Sequence, residues 1–433
     1  MLLHISDIHF KHPVCQTDED PDLYFRTELT AHASEQIREL SDVDVILVTG
    51  DIAFRGIDHE YDAATKWLEA LATAVGCNKR RIYVIPGNHD VDQSSFTTNP
   101  NANDLVRRIE QEKRNASRET ALQTALECDD TNQHVFASIS AYNTFAAKYD
   151  CQVFPGRLSW KHTLRIDSRV VLHLYGLTST LLSGIDKKDT KGNLFMSAMQ
   201  MSFPRASGAA NLIMAHHPPE WMSDQDQLEM RLFGTPNIVL FGHRHVQILR
   251  REHNGSIVFS AGSVNPDRNE TGWEPAYNLI ELTSETRDGK RFVEVSARQY
   301  RWQSNPNGFV PKLDMVTKDP IFNHSIQVPG DDMDDPIAAE IAQPIYERDS
   351  KMPKREDPSI EAPPLNRPNV RDLIYRFWSL EPSQRVQILT ELGVAEPSPE
   401  PLLQAKSYRS ALVTLAKLNR LTELDEAIAR REK

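Results

Sequence analysis

Five short apolar runs in the chain end abruptly in polar residues. The runs are rich in Val, Ile and Leu and lack regular polar alternation, a pattern typical of β-strands that are buried on both faces. With their polar ends they are Leu2 to His9, Val45 to Asp51, Val84 to Asp90, Leu212 to His216 and Ile238 to His245.

Stretches with helical spacing separate the first three runs. Apolar residues recur at helical intervals from Tyr24 to Leu40 and from Glu60 to Val75. A β-α-β-α-β order predicts parallel strands with right-handed connections. Because ligands gather at the carboxyl ends of such strands, we expect the five strand ends to converge on one polar site.

The second half of the chain is rich in strand patterns. Asn254-Gly255 and Asp288-Gly289 each separate two apolar runs and predict two hairpins. The second hairpin has Tyr277–Leu282 and Phe292–Tyr300 as its strands. We expect these hairpins, with the His216 and His243 strands, to form a second, mixed sheet packed on the first, which gives an α/β fold with two sheets.

Differences in composition and pattern divide the chain into a main domain, a linker and a C-terminal module. Residues 1–305 carry the strand and helix patterns of the main domain, and within them residues 92–150 form a helical insertion placed where it could cap the polar site. Residues 306–367 are acidic and proline-rich, as in a linker. Residues 368–433 show amphipathic helical spacing and predict an all-α module.

The charge balance limits the partners of the protein. The formal charge of −12 disfavours a broad nucleic-acid-binding surface. Two local basic groups could still meet a phosphate, although for the group in the insertion a solvated helix face is the commoner meaning. They are Lys79-Arg80-Arg81 and, in the insertion, Arg107, Arg108, Lys113, Arg114 and Arg118.

Neither a membrane segment nor a disulfide framework is expected. No apolar run reaches the roughly 20 residues that span a bilayer, and the first predicted strand begins at Leu2, which leaves no room for a signal peptide. The four cysteines lack CxxC spacing. These features predict a cytoplasmic protein.

The polar residues at the strand ends are of metal-ligand types. They combine carboxylate and amide oxygens with imidazole nitrogens, a set that suits Mn, Fe(II), Zn or Ni better than Mg or Ca. Seven ligands are too many for one ion, so we expect two divalent ions, with Mn favoured, that share a carboxylate and lie about 3.5–4 Å apart for in-line attack on phosphorus. The seven residues are Asp7, His9, Asp51, Asn88, His216, His243 and His245.

Spacing within two of the motifs supports this expectation. Asp7 and His9 are two residues apart, and in extended backbone both side chains would point to one side and bind one cation together. His243 and His245 repeat the spacing.

The motifs resemble those of the calcineurin-like metallophosphoesterases in content, order and spacing, over about residues 1–300. The resemblance implies a two-sheet β-sandwich flanked by helices. The matching motifs are Asp7-x-His9, Gly50-Asp51-x4-Gly56, Gly87-Asn88-His89-Asp90, His216-x-Pro218 and Gly242-His243-x-His245.

The resemblance also implies a role for each residue. His89 would contact the phosphate or protonate the leaving oxygen, Asp90 would orient His89, and a hydroxide between the metals would be the nucleophile. The family's His-x-Pro pattern selects His216 as the ligand, and we expect the adjacent His217 to have a lesser role near the site. The implied ligands are Asp7, His9 and His245 on one ion, Asn88, His216 and His243 on the other, and Asp51 on both.

Departures from related patterns narrow the substrate. Asp90 stands where protein Ser/Thr phosphatases of the superfamily carry Glu, Phe54 replaces the Asp of their Asp-Arg-Gly motif, and Ile52 replaces the tyrosine of purple acid phosphatases. The chain looks most similar to the bacterial cyclic-nucleotide phosphodiesterase and nuclease-like branches. Arg55 is retained and could touch phosphate or form a surface salt bridge.

These features predict a metal-dependent phosphodiesterase that hydrolyses a phosphate diester of a nucleotide or cyclic nucleotide. The alternatives are a nuclease of the same chemistry, which the basic groups support, and a phosphomonoesterase. Residues 368–433 are somewhat similar to the death-like adaptor modules of bacterial defence effectors, so we expect them to bind a protein partner or a second copy. An ordinary docking bundle is the alternative for this module.

Overall fold

Two β-sheets of seven strands each, flanked by helices, form the main part of the computed structural model. One continuous hydrophobic core contains residues from both sheets. The two-sheet α/β fold predicted from the sequence is confirmed. The structure describes residues 1–128, 130–184, 189–265, 274–314, 317–331, 343–344, 370–394 and 401–432.

The first sheet has the strand order β12-β11-β10-β1-β2-β3, and β13 also pairs with β11. As predicted, β1, β2 and β3 are parallel and fully buried. The strands are β1 (Leu2–Ile5), β2 (Val45–Val48), β3 (Ile82–Val84), β10 (Ala276–Arg287), β11 (Lys290–Ser304), β12 (Asn307–Pro311) and β13 (Phe322–Asp331).

The second sheet has the order β14-β4-β5-β6-β7-β9-β8. Its centre is parallel, from β5 through β6 and β7 to β9, and the Asn254-Gly255 hairpin joins β8 to β9 as predicted. The strands are β4 (Ser159–Arg165), β5 (Val171–Leu177), β6 (Ala209–Ala215), β7 (Ile238–Phe241), β8 (Gln247–Arg251), β9 (Ile257–Ala261) and β14 (Gln343–Pro344).

Helices flank the sheets and form the insertion and the C-terminal module. The first two connect the parallel strands of the first sheet, as their apolar spacing predicts. The helices are α1 (Leu23–Glu39), α2 (Asp58–Ala74), α3 (Ser95–Thr98), α4 (Pro100–Gln111), α5 (Asn115–Glu127), α6 (Ser140–Ala147), α7 (Gln225–Phe233), α8 (Val370–Ser379), α9 (Pro382–Glu391), α10 (Pro401–Lys417) and α11 (Leu421–Ala429).

The hairpin formed by β10 and β11 belongs to the first sheet, so its predicted place in the second sheet is wrong. β10 pairs antiparallel with β1, with Leu2 opposite Ile280. Because β1 is an apolar strand buried on both faces, it needs a hydrogen-bonding neighbour on each side. The apolar first half of β10 supplies the second neighbour.

The main domain also continues past its predicted end at residue 305. β12 and β13 both pair with β11, and Ile326 and Val328 of β13 are buried. The predicted linker is therefore wrong for residues 307–311 and 322–331. In the second range, exposed Gln327 stands between the two buried residues, as in a half-buried strand. Apart from residues 343–344, the predicted linker from residue 332 to residue 367 lies outside the described residues.

The C-terminal module is helical, as predicted, and packs against the main domain. It has a hydrophobic core of its own. The guanidinium of Arg371, on α8, lies 3.9 Å from the ring centroid of Tyr83 and donates to the carbonyl oxygens of Arg80 and Ile82. In the part of the chain that the structure describes, no helix is long and apolar enough to cross a bilayer.

Candidate metal centre

The loops that follow the strands turn sharply through left-handed backbone. Five of the predicted ligand residues have φ between 51° and 65°, namely Asp7, His9, Asp51, His243 and His245. The extended geometry predicted for Asp7 and His9 is therefore wrong, although the two side chains still lie together, with Asp7 Oδ1 4.0 Å from His9 Nε2. Such backbone costs about 1–2 kcal/mol per residue outside glycine. Strain of this kind clusters at functional sites, where the surrounding structure holds it.

Hydrogen bonds from a distant loop hold the backbone after β1. Ser263 Oγ donates to the carbonyl of Asp7 at 2.8 Å, and the side-chain amide of Asn265 donates to the carbonyl of Ile8 at 2.6 Å. Both donors are buried. These two supporting residues could not be predicted from the sequence, because nothing in their local pattern differs from an ordinary turn.

Two glycines allow the motif loops to meet. A Cβ atom at Gly50 would lie 2.5 Å from Nδ1 of His216, and one at Gly87 would lie 2.2 Å from Oδ1 of Asp51. Both distances are far shorter than a van der Waals contact. Any larger residue at either position would push the polar side chains apart.

One group of polar atoms gathers around Asp7. Single donor atoms of Asp7, His9, Asp51 and His245 all lie within 4.8 Å of one another. Nε2 of His245 is 3.2 Å from Oδ1 of Asp7 and 3.4 Å from Nε2 of His9. This group contains the residues that the resemblance assigns to one metal.

A second group gathers around Asn88. Its Oδ1 lies 3.1 Å from Nε2 of His216 and 2.9 Å from Nδ1 of His243. Asp51 joins the two groups, because its Oδ2 is 3.3 Å from Nε2 of His216. The structure thus brings all seven predicted residues together, while their assignment as ligands stays a prediction.

The surroundings of His216 fit a cation. Its Nδ1–H donates to the carbonyl of Thr49 at 2.7 Å, so its Nε2 faces the oxygens of Asp51 and Asn88. Three electron-pair donors turned toward one another are stable only with a positive charge between them. Burial alone would lower the pKa of His216, but the charge of Asp51 and its hydrogen bond raise it to about 9, so a proton on Nε2 supplies this charge when no metal is bound.

The other titratable groups are also set for metal binding. Burial lowers the pKa of His9 to about 3 and lowers that of His243 as well, so both rings are neutral at physiological pH. Burial opposes ionisation of Asp51, yet the neighbouring imidazoles hold its pKa well below the usual value. Neutral imidazole and ionised carboxylate are the forms that bind metals. The donor set therefore fits two divalent ions.

His89 lies beside this centre with one ring nitrogen in use. Its Nδ1–H donates to the carbonyl of Phe54 at 3.0 Å, and its ring stacks on the Phe54 ring with centroids 5.0 Å apart. Its backbone N–H donates to Oδ1 of Asp51 at 2.8 Å. Nε2 is consequently the nitrogen that a substrate can reach, as a proton-donating role requires.

The predicted role of Asp90 in orienting His89 is wrong. The buried carboxylate of Asp90 accepts hydrogen bonds from the backbone N–H groups of Ile52, Ala53 and Gly87 and from the hydroxyl of Tyr61. The carbonyl of Phe54 orients His89 instead. Burial and the charge of Asp51 raise the pKa of Asp90 to about 6, against the effect of these hydrogen bonds. Asp90 fixes the loops that carry Asp51 and Asn88.

His217 lies closer to the centre than a lesser role would suggest. Donor atoms of His217, His216 and His243 lie within 4.8 Å of one another. Ser179 Oγ accepts from the backbone N–H of His217 and lies 2.8 Å from its Nδ1, while its Nε2 is 3.4 Å from Oδ2 of Asp189. These contacts hold His217 in place beside the centre. Neither Ser179 nor Asp189 lies in a sequence pattern that predicts this role.

Comparisons with known proteins agree with this geometry. Residues 1–247 match the model of the family described as calcineurin-like phosphoesterase, and residues 369–430 match that of the GTPase-associated adaptor domain. The uncharacterized metallophosphoesterase-like protein YydB of Bacillus subtilis (strain 168) is 29% identical over 122 residues, which are 26% of this chain and 24% of that protein. The chain thus spans about a quarter of the length of that curated relative.

Two solved structures match the chain with low TM-scores and low sequence identity. A dimetal phosphatase from Danio rerio has a TM-score of 0.38 and 11% identity, over 76% of this chain and 98% of its own. Vps29 of Chaetomium thermophilum has a TM-score of 0.27 and 9% identity, over the same shares of the two chains. Since the family model spans more than half of the 433 residues and includes all five motifs, the chain belongs to the calcineurin-like phosphoesterase family.

Proposed function

We propose that this protein is a dinuclear metal-dependent phosphodiesterase that hydrolyses a phosphate diester of a nucleotide or cyclic nucleotide. Family membership supports phosphoester hydrolysis at a centre of two divalent ions. The choice of a diester depends on the charges in the motif loops.

The proposal depends on which positively charged side chains near the centre already form ion pairs. The motif loops, residues 6–11, 50–56, 87–90, 215–218 and 242–245, contain the cations Lys11, Arg55 and Arg244. Arg244 forms an ion pair with Glu220, and Lys11 lies 3.4 Å from Asp22. Arg55 is exposed, and its side chain has no partner among the described residues. One unpaired cation matches the single negative charge of a diester better than the double charge of a monoester.

Side chains at the centre are placed to assist an alcohol leaving group. Divalent ions held by the seven residues would polarise the phosphate as Lewis acids. With Nδ1–H fixed on Phe54, a protonated His89 can donate from Nε2 to the leaving oxygen. An alkoxide is a poor leaving group, so a diester of a sugar hydroxyl gains most from such a donor.

The alternative of a nuclease loses much of its support. In the insertion, Arg108 pairs with Asp104, and the buried Arg118 is used in hydrogen bonds to neighbouring loops. In the cluster of residues 79–81, Lys79 lies 3.4 Å from Glu69 and Arg80 lies 2.7 Å from Asp372 of the C-terminal module. These contacts favour structural roles for Arg108, Arg118, Lys79 and Arg80, and with them a small substrate for the enzyme.

The test compares substrates on the Mn²⁺-loaded full chain. Bis(4-nitrophenyl) phosphate and cyclic AMP should be hydrolysed with higher kcat/KM than 4-nitrophenyl phosphate and single-stranded DNA. Preference for the monoester would overturn the diesterase proposal, and preference for DNA would support the nuclease. Asp51→Asn should lose bound metal and turnover together, whereas Asp288→Asn, at the exposed tip of the β10–β11 hairpin, serves as the matched control.

We propose further that residues 370–432 act as an adaptor for a protein partner. The match to the GTPase-associated adaptor domain supports this role and suggests a partner that contains or accompanies a GTPase. Val413 and Leu418 of the module are 40% and 57% exposed and offer apolar side chains that a partner could contact. A purified GTPase partner should bind the full chain, and Leu418→Glu should weaken the complex. Self-association in sedimentation experiments, without partner binding, would support an oligomerisation bundle instead.

A further inference from the structure

We propose that Trp221 recognises the nucleoside part of the substrate by stacking against its base. The inference rests on the proposed function, since it names the part of the substrate that the phosphodiesterase would recognise in addition to the phosphate. It also gives the helical insertion a role, because the insertion holds the loop in which Trp221 lies.

The indole ring of Trp221 lies beside the candidate metal centre. Its ring centroid is 4.1 Å from that of His243, with the two planes at 88°, and 6.1 Å from that of His217. The side chain is half-buried, so part of the indole faces solvent next to a predicted ligand. A substrate whose phosphate reaches the centre therefore has a flat aromatic surface within reach.

The backbone around Trp221 is held on both sides. Its N–H donates to the carbonyl of Pro218 at 3.0 Å, and its own carbonyl accepts from the N–H groups of Gly192 and Leu194 at 3.2 and 3.0 Å. The N–H of Ser223 donates in turn to the carbonyl of Leu194 at 2.9 Å. These bonds link the loop after β6 to residues 192–194 and limit the movement of the indole.

Arg118, on α5 of the insertion, fastens this pair of loops. Its guanidinium donates to Ser223 Oγ at 3.0 Å and to the carbonyl of Asn193 at 3.3 Å. It also donates to the carbonyls of Glu110 and Glu112, in and after α4. The side chain is buried. Arg118 is thus a positioning residue, which acts on the substrate through Trp221.

The indole ring of Trp221 favours a nucleobase over other substituents of the diester. An indole offers a wide π-surface without charge, and every nucleobase has a face that stacks on it. Phe54, on the other side of the centre, is already stacked on His89. Of these two aromatic side chains, Trp221 is therefore the one that a planar substituent of the diester can use.

Two substrates with the same leaving group test the proposal on the Mn²⁺-loaded full chain. Thymidine 5′-(4-nitrophenyl phosphate) carries a base, and methyl 4-nitrophenyl phosphate does not. The wild-type enzyme should have the higher kcat/KM for the thymidine ester. Trp221→Leu should reduce that preference about 5-fold or more, as expected for the loss of one base–aromatic stack, and Trp221→Phe should keep most of it. Because the preference is a ratio measured on one preparation, partial loss of metal or of folded protein cancels.

Arg118→Met should reduce the same preference by a smaller factor, whereas Arg108→Met, on the exposed face of α4, should leave it unchanged. An unchanged preference in Trp221→Leu, or no preference in the wild type, would overturn the proposal.

Failure of the proposed function has a different signature: neither diester is hydrolysed while 4-nitrophenyl phosphate is. The preference is then measured with thymidine 5′-monophosphate against methyl phosphate, with the same two outcomes for Trp221.

Discussion

The hydroxyl of Tyr61 donates a 2.8 Å hydrogen bond to Oδ1 of Asp90, and both side chains are buried. Tyr61 lies on α2, so the bond ties this helix to the loop that follows β3. Asp90 also accepts from three backbone N–H groups, which leaves its carboxylate fully engaged away from His89. The structure therefore gives Asp90 a role in holding the site together.

Tyr61→Phe should destabilise the protein while leaving the chemistry intact. The substitution removes one of the four hydrogen bonds to a buried carboxylate, and the free energy of unfolding should fall by about 1–3 kcal/mol. Turnover per folded, metal-loaded molecule should stay close to wild type, since Tyr61 does not contact His89. Urea unfolding and steady-state kinetics measure the two quantities. Tyr24→Phe, at a position 48% exposed, is the control. Lower turnover at unchanged stability would contradict this role.

His89→Ala should keep bound metal and reduce turnover by about 10²-fold or more. Alanine retains the backbone N–H that donates to Asp51, so the centre keeps its shape while the proton donor is lost. The loss should be larger for alkyl leaving groups than for 4-nitrophenolate, which departs without a proton. Metal analysis and kinetics with both leaving groups provide the test. His59→Ala, an exposed histidine of α2, is the control, and loss of metal from His89→Ala would show that its role is wrong.

The sequence allowed the parallel strands to be predicted because each signal is local. Apolar runs such as Val45–Val48 and Ile82–Val84, separated by a helical pattern, leave few arrangements open. The convergence of Asp7, Asn88 and His243 follows from the same topology, since each residue comes soon after a strand end. Much of the fold and the membership of the site could therefore be inferred without coordinates.

The details that the sequence did not predict depend on distant partners. The left-handed backbone at Asp7 is held by Ser263, 256 residues further along the chain. Asp90 adjoins His89 in sequence, yet it bonds to Tyr61, 29 residues earlier. Lys79-Arg80-Arg81 looked like a phosphate-binding cluster, and only the fold brings Arg80 to Asp372. Such pairings leave no periodic signal in the chain.

Arg371→Met should loosen the C-terminal module from the main domain. The buried guanidinium bonds to two backbone carbonyls beside β3, and each such bond to a charged donor is worth about 1.5–3 kcal/mol. Methionine keeps the apolar contact with Tyr83 but cannot replace the donors. Amide exchange should become faster in α8 and β3, while metal-dependent turnover persists. Arg430→Met, whose side chain is 61% exposed, is the control. Unchanged exchange would mean that apolar packing alone docks the module.

His162 should make the stability of this junction depend on pH. Its Nε2–H donates to the carbonyl of Asp150 at 3.1 Å. Burial, with the nearby charge of Arg371, lowers its pKa to about 3 from the usual 6.5. Below pH 6.5, His162 therefore binds a proton in the unfolded chain but stays neutral in the folded protein. The contribution of His162 is complete above the unfolded pKa and is lost as the pH falls from 6.5 toward 3.

His162→Gln removes this titration and keeps a donor for the Asp150 carbonyl. Between pH 6 and pH 4 the free energy of unfolding of the wild type should fall more steeply than that of the variant, by up to about 1.4 kcal/mol per pH unit for one proton. Urea unfolding on metal-free protein measures both slopes without interference from metal release. The exposed His253, changed to Gln, should leave the slope unchanged. Equal slopes in the wild type and His162→Gln would mean that His162 is protonated in the folded protein, and the neutral, carbonyl-bound ring described above would then be wrong.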